Sequence, residues 1–311
     1  MTIAGELQDL STNLQSAKDA VTNKGGSVGD TGLNGLATEI NSIPSGGGGI
    51  TNYGSITYLD NNNISQTLTL ENETDYLELT IGGSGSDITV NGVTMNKSNI
   101  TSVTIADGVQ YIPDNFMYGG AGLTSATIPQ SVHFIGQSAF LGCSALNSAV
   151  NLSNVIFIGS GFMQSCSSFN QPLNIPKVRE IGSNFLQSCT SFNSALTLNP
   201  NTEVIGDRFL SGCTAFSQSL TIPSGLISTS AVTNNPGQRF MNGCNNFTGP
   251  LVCSSSATSK IPTDNYTLAT TSTSAPMYAT GVTLTGDYAQ NWKTKLADRT
   301  SSPYRKLVVG S

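Results

Sequence analysis

A block of about 23 residues recurs from Ile112 to Cys253 and makes most of this chain a stack of one small unit. In register, the copies read Ile112-Pro-Asp-Asn-Phe116, Ile135-Gly-Gln-Ser-Ala-Phe-Leu-Gly-Cys143 and Ile158-Gly-Ser-Gly-Phe-Met-Gln-Ser-Cys166. Ile181-Gly-Ser-Asn-Phe-Leu-Gln-Ser-Cys189 and Ile205-Gly-Asp-Arg-Phe-Leu-Ser-Gly-Cys213 follow, and Pro236-Gly-Gln-Arg-Phe-Met-Asn-Gly-Cys244 is a looser last copy. The anchors fall at 120 (a glycine), 143, 166, 189, 213 and 244, spaced 23, 23, 23, 24 and 31. A fixed period in this range marks a solenoid, because one unit cannot bury its apolar face until neighbours stack on it. Function must then be argued from a surface.

Each unit carries two hydrophobic rhythms. Phe185, Leu186, Cys189 and Phe192 stand at i, i+1, i+4 and i+7, a spacing that predicts a short helical turn with one buried face. Seven and nine residues past each anchor come pairs such as Val150 and Leu152, Leu173 and Ile175, Leu196 and Leu198, Leu220 and Ile222, and Leu251 and Cys253. That period of two predicts a strand with both members inward. Pro129, Pro176, Pro200 and Pro223 follow closely and suit a strand ending in a turn. The expected class is α/β: a right-handed, horseshoe-like solenoid of strand plus short helix per repeat.

Ile135-Gly136, Ala139-Phe140, Cys143 and Leu146, with Val155 and Ile158 or Val178 and Ile181, resemble the leucine-rich repeats of the BspA-like type. Their pattern is close to I-G-x-x-A-F-x-x-C-x-x-L followed by I-P-x-x-V-x-x-I. The resemblance covers roughly 140 residues and implies a leucine-rich-repeat fold. It also implies a surface protein used for attachment, as the family's members mostly are. The chain departs from the pattern with Phe162, Phe185 and Phe209 in place of Ala, and Met163, Leu186 and Leu210 in place of Phe. Large and small partners have changed places, so different core packing is expected.

Charged residues make up 10% of the chain, against roughly 25% in an ordinary globular protein, and the net charge is −6. Without a basic stripe there is nothing to release counterions from phosphate, so a nucleic-acid partner is disfavoured and none is expected. Five cysteines share one repeat register and exchange with Gly120, which reads as a small buried hydrophobe rather than a disulfide framework. One His and no CxxC pair argue against a metal site, and no cofactor is expected. No apolar run approaches the roughly 20 residues that span a bilayer, so no membrane contact is expected. Met1-Thr-Ile-Ala-Gly-Glu6 lacks the look of a secretory signal and Lys306–Ser311 carries no wall-sorting motif, which argues against a bacterial surface adhesin.

The flanks divide as 1–45, 46–49, 50–111 and 254–311 around repeats at 112–253. Residues 1–45 read as a helical anchor. Ile3, Leu7, Leu10, Leu14, Ala17 and Val21 step by 4, 3, 4, 3, 4, and a second helix carries Leu33, Leu36, Ile40 and Ile43 before a Gly linker at 46–49. Such a narrow stripe fits a homo-oligomer such as a trimer, or a hairpin in which the two helices face each other. Residues 50–111 read as a β-rich N-cap with strands at Ser65–Leu70, Tyr76–Ile81, Ile88–Val90 and Ser102–Ile105. Asp60-Asn-Asn-Asn63 lacks the spaced carboxylates of a calcium loop and reads as a turn. Residues 254–311 read as a strand-helix-strand cap, with Trp292 in its core.

Glu6-Leu-Gln-Asp-Leu10 and Leu36–Pro44 at the front, with Gly286-Asp-Tyr-Ala-Gln-Asn-Trp292 and Ser302–Lys306 at the rear, resemble tail-associated or other virion appendage proteins of bacteriophages. That resemblance implies location on a virion and docking to other virion proteins through residues 1–45. The expected partner of the repeats is a host-surface glycan or protein. The expected ligand row is Asn151, Asn174, Thr197 and Thr221, outward on successive strands about 4.8 Å apart. Catalysis is not expected. Only Asp114, Glu180, Glu203 and Asp207 are acidic in the repeats, and Glu180 and Glu203 sit in nearly but not fully matching registers beside Arg179. Glycoside hydrolysis needs two convergent carboxylates about 5–9.5 Å apart.

Overall fold

The structure, a computed structural model, describes residues 52–226, 240–254, 282–297 and 307–310. The expected helical anchor at 1–45, with Ile3, Leu7, Leu10, Leu14 and Val21, lies outside the described residues, as does the Gly linker at 46–49. The side chains of Trp292 and Leu296 do too.

The first described elements form a hairpin, β1 (Gly54–Leu59) and β2 (Ser65–Leu70), closed by Asp60. Its Oδ1 accepts from the N–H groups of Asn62 and Ile64, both at 2.9 Å, and these bonds hold the carboxyl below its usual range. The Asp-Asn-Asn-Asn stretch is thus the turn its residues suggest. The strand expected at Tyr76–Ile81 is instead the end of a helix, α1 (Glu73–Glu78), and a following turn. Asn72 caps that helix by accepting from the Asp75 N–H, and Glu73 and Asp75 favour its N-terminal dipole. The signal Asn72-x-x-Asp75 outweighed a two-residue alternation that a helix shares. Then come β3 (Asp87–Val90), β4 (Val93–Asn96), a single 3₁₀ turn at Lys97–Asn99 and β5 (Ile100–Ile105). β5 pairs antiparallel with β1 on one side and parallel with β7 (Ser125–Thr127) on the other. The N-terminal unit therefore shares a sheet with the first coil.

From there two parallel ladders run side by side. The first uses the period-two pairs: after β7 come β10 (Leu173–Ile175), β12 (Leu196–Leu198), β14 (Leu220–Ile222) and β15 (Leu251–Cys253). Each of β10, β12 and β14 is buried, exposed, buried, as the alternation requires. The second ladder holds β6 (Tyr111–Ile112), β8 (Phe134–Ile135), β9 (Phe157–Ile158), β11 (Glu180–Ile181) and β13 (Val204–Ile205), all adjacent in one sheet. At the far end β16 (Val282–Thr285) and β17 (Leu307–Val309) join the sheet of β14 and β15 in parallel, with the helix α2 (Ala289–Ala297) between them in sequence.

Within the described repeats there is no helix, which corrects the expected strand-plus-helix unit and the α/β class it implied. The anchor segments are turns whose backbone switches hand. Gly119, Gly142, Ser165, Ser188, Gly212 and Gly243, each one residue before its anchor, all have positive φ, and so do Asn115, Ser138, Met163, Asn184 and Leu186. A helix points its N–H groups along its own axis. Switching hand turns them sideways, so the N–H groups of Asn115, Met117 and Gly119 reach the carbonyls of Gln137, Ala139 and Leu141 one coil on, at 2.6–2.8 Å. The apolar residues still face inward because tight turns, such as Cys189 N–H to Leu186 carbonyl at 3.1 Å, bring them to one side.

Core columns explain the rest of the motif. Phe162, Phe185, Phe209 and Phe240, four residues before their anchors, stack at 5.0–5.9 Å with interplanar angles of 9–25°. Phe140 stands one residue later in its copy and meets Phe116 and Phe162 edge-on, at 82° and 86°. The altered packing expected from the exchanged partners is real, and it changes register at the second copy. The glycine after each Ile answers a close approach. A Cβ on Gly136, Gly159, Gly182 or Gly206 would lie 2.4–2.6 Å from atoms of the preceding coil. The first copy has Pro113 there, where no repeat precedes it.

Candidate binding surface of the repeats

The outward residues of the first-ladder strands are mostly polar, on strands that fall in three sheets: β5 with β7, β10 with β12, and β14 with β15. Asn174 is paired in register with Thr197, and Thr104 with Thr127, while Thr221 is opposite Val252. Thr104, Thr127, Asn151, Asn174, Thr197 and Thr221 are all exposed. The structure thus brings three of the four expected ligand residues, Asn174, Thr197 and Thr221, onto exposed strand positions, and none of the three makes a side-chain hydrogen bond among the described residues. Asn151 differs: its Oδ1 accepts from the Ser153 N–H at 3.1 Å, so part of its polarity closes a local turn. Thr104 and Thr127 extend the column beyond the sequence reading. Thr127 is framed by the inward residues Ala126 and Ile128, six and eight past Gly120, and Thr104 by Val103 and Ile105.

A second polar row was missed. Asn147, Asn170 and Asn193 stand four residues past successive anchors. The side-chain oxygens of Asn147, Asn170 and Asn193 accept the N–H groups of Asn170, Asn193 and Ser217 respectively, at 2.8–2.9 Å. Their oxygens tie coil to coil, which leaves their NH₂ groups as donors. Three identical residues in one register were the available signal.

Charge is segregated. Between residues 115 and 226 the charged side chains are Lys177, Arg179, Glu180, Glu203, Asp207 and Arg208. Five fall in or beside the second-ladder stretch, and Lys177 stands in the turn between the ladders, two residues past Ile175, where its Nζ donates to Asn154 Oδ1 at 2.8 Å. The first-ladder face is therefore neutral, lined by amides and hydroxyls that both donate and accept. It can hydrogen-bond a neutral polyhydroxylated chain or a polypeptide backbone, and it offers no counter-charge to phosphate, sulfate or carboxylate.

On the charged side, Glu180 sits in register between Phe157 and Val204. Burial, then the neighbouring Glu203 charge, pushes its carboxyl up to about 7. Glu203 is also raised by burial, against the lowering influence of Arg179, whose Nη1 lies 3.9 Å from Oε1. Register sets Glu180 against Val204, so the two carboxylates occupy different columns and Glu203 turns to Arg179. Among the described residues, no group of three or more His, Cys, Asp or Glu is placed to hold a metal ion. No helix there is long and apolar enough to cross a membrane.

The cysteine column does more than fill space. Cys143, Cys166, Cys189, Cys213 and Cys244 are buried and not joined in disulfides. Each Sγ–H donates to a carbonyl one coil back: those of Met117, Phe140, Met163, Leu186 and Leu210, at 3.0–3.2 Å. The reading of a small hydrophobe was incomplete, because the thiol also satisfies a buried acceptor. At the first anchor Gly120 leaves room for the Met117 methyl, which would lie 2.8 Å from an added Cβ.

Fold and surface together define a repeat-solenoid protein whose exposed neutral face is the candidate site. Residues 85–193 and 110–237 match the BspA type Leucine rich repeat region in 6 copies, so this part of the chain is a BspA-type leucine-rich-repeat region. Among solved structures, the chain is similar to the T. pallidum leucine-rich-repeat protein TpLRR: 21% identity, 49% of this chain and 74% of that one covered, TM-score 0.35. It is also similar to a leucine-rich repeat protein from Eubacterium ventriosum ATCC 27560, with 18% identity, 52% and 54% coverage and a TM-score of 0.31. No curated protein matches the chain.

Proposed function

We propose that this chain is a non-enzymatic attachment protein whose first-ladder face binds neutral glycans on a host or environmental surface. The observation that carries the proposal is the neutral column of Asn174, Thr197 and Thr221, exposed and without internal hydrogen bonds, on a solenoid whose charges are gathered elsewhere. Sugar hydroxyls need paired donors and acceptors, which amides and Thr hydroxyls supply. The proposed carrier is a bacteriophage virion, in a tail, baseplate or head appendage, with residues 1–45 docking the chain to other virion proteins as a homo-oligomer. Support for that carrier comes from the likeness of the two ends, Glu6–Leu10 with Leu36–Pro44 and Gly286–Trp292 with Ser302–Lys306, to virion appendage proteins. Glu180 and Glu203 have a structural role in this proposal and no part in hydrolysis.

The test is binding of the purified chain to immobilised neutral and acidic polysaccharides, and to whole bacterial cells. Asn174→Ala with Thr197→Ala is expected to lower affinity for a neutral polysaccharide by at least about tenfold, two lost hydrogen bonds of ~1 kcal/mol each. Preference for acidic over neutral polysaccharide, or unchanged binding by the double variant, moves the site off this face. Residues 1–45 attached to a reporter are expected to bind virions; binding to bacterial envelopes instead would favour a cell-surface adhesin.

A further inference from the structure

The sheet β2–β1–β5–β7 ends at β2, whose far side pairs with no described strand. Two hydrogen bonds fix which backbone groups face that side. The Asp60 N–H donates to the Ile64 carbonyl at 3.0 Å, and the Tyr53 N–H to the Leu70 carbonyl at 2.8 Å. In an antiparallel strand the N–H and C=O of one residue point the same way, and successive residues alternate. Ile64, Gln66, Leu68 and Leu70 therefore turn their backbone toward β1. Ser65, Thr67 and Thr69 turn theirs outward.

Protein edges are normally blunted by charge, proline, a bulge or short length. None of these applies to β2. Ile64-Ser-Gln-Thr-Leu-Thr-Leu70 has no charge, Pro or Gly, and all six strand residues pair with β1 without a register shift. Ser65, Gln66, Thr67 and Thr69 are exposed, and Ile64 is 56% exposed.

The edge is also complementary to itself. A two-fold axis at Thr67 sets that residue against its own copy and Ser65 against Thr69 of the second copy. Every outward backbone group then meets a partner, giving about six inter-chain hydrogen bonds. The same register sets Ile64 against the second copy's Leu70, and Gln66 against its Leu68. The partly covered apolar row thus continues on one side of a joined sheet, and no charge stands opposite a like charge. Any other strand would have to bring this pattern of polar and apolar residues; a second copy already has it.

We propose that two copies of this chain associate edge to edge through β2, antiparallel about a two-fold axis at Thr67. The contact is isologous and consumes both edges, so association at this site stops at two. One strand per copy is a narrow interface, and the association is concentration-dependent. It rests neither on the glycan reading nor on residues 1–45.

The experiment is sedimentation velocity of the full chain over a concentration series, for the wild type, Thr67→Lys, Thr67→Glu and an equimolar mixture of the two variants. Thr67 is exposed and directs its N–H away from β1, so both variants keep the fold, which circular dichroism checks. The wild type is expected to double whatever mass it has at the lowest concentration. Each variant alone places like charges at the axis and weakens that doubling by at least about tenfold. The mixture places Lys against Glu and restores it. A wild-type mass that never doubles, variants that associate like the wild type, or a mixture that stays apart would each overturn the proposal. So would doubling that appears only after residues 1–45 are removed, since that segment would then own the edge.

Discussion

Replacing Gly182 with alanine tests the stacking directly. Gly182 follows Ile181 on the second ladder, and its N–H donates to the Ile158 carbonyl at 2.8 Å. An added Cβ would stand 2.4 Å from Ser160 N, 2.7 Å from Gly159 C and 2.8 Å from Ser160 Cα, all backbone atoms with no side chain to swing aside. Ordinary contact needs nearly 1 Å more, so the two coils must separate locally. Overpacking of this kind costs about 1–3 kcal/mol, and losing one or two inter-coil hydrogen bonds adds about 1 kcal/mol each. The expected loss is about 2–5 kcal/mol, measured by urea unfolding followed by circular dichroism. In a quasi-one-dimensional stack the damage lies at one interface, so the transition should also broaden as the two halves uncouple. Gly85→Ala is the control: its Cβ meets nothing within 4 Å, and it carries only the strain of φ +79°, about 1–2 kcal/mol. A G182A protein that loses less than G85A would refute the argument that close approach selects the glycine.

Ser165 and Ser188 hold positive φ at the position where four other copies have glycine, so Ser165→Gly and Ser188→Gly should each stabilise by about 0.5–1 kcal/mol in the same urea assay. Glu180 titrates near 7 in the fold against an ordinary value of 4.5, so the folded state binds the extra proton. Its contribution is fully present below about pH 4.5 and is lost as pH rises through about 7. Glu180→Gln should therefore stabilise by on the order of 2 kcal/mol at pH 8 and by nearly nothing at pH 4, as urea midpoints at the two pH values will report. Cys189→Ala removes one of the two hydrogen bonds to the Met163 carbonyl, which keeps the Cys166 N–H at 3.2 Å, and leaves a small cavity, at about 1–2 kcal/mol, and Cys189→Ser should recover part of this by donating in its place. Burial pushes the thiols of Cys143, Cys189 and Cys253 up to about 12, so a disulfide reagent at pH 8 should label the cysteines only at the rate of unfolding.

What was legible in the sequence was whatever repeated. The period, the inward pairs of the first ladder and the anchor column follow from counting, because a stacked coil must place equivalent residues in equivalent surroundings. The helix expected around Phe185, Leu186, Cys189 and Phe192 failed for a physical reason. Apolar spacing reports which side chains face inward and says nothing of where the N–H groups go. Gly119, Gly142, Gly212 and Gly243 already stood one residue before an anchor, and a glycine in that place asks for a left-handed backbone, which no helix interior supplies. With the hand switching, the N–H groups bond sideways to the next coil, and the anchor becomes the place where the stack is tied together. The same logic separates the two polar rows. Asn147, Asn170 and Asn193 are identical because each oxygen has a fixed task in joining coils. Asn174, Thr197 and Thr221 vary between amide and hydroxyl because the fold asks nothing of them, and a column the fold leaves free, exposed and uncharged is where a ligand can be read.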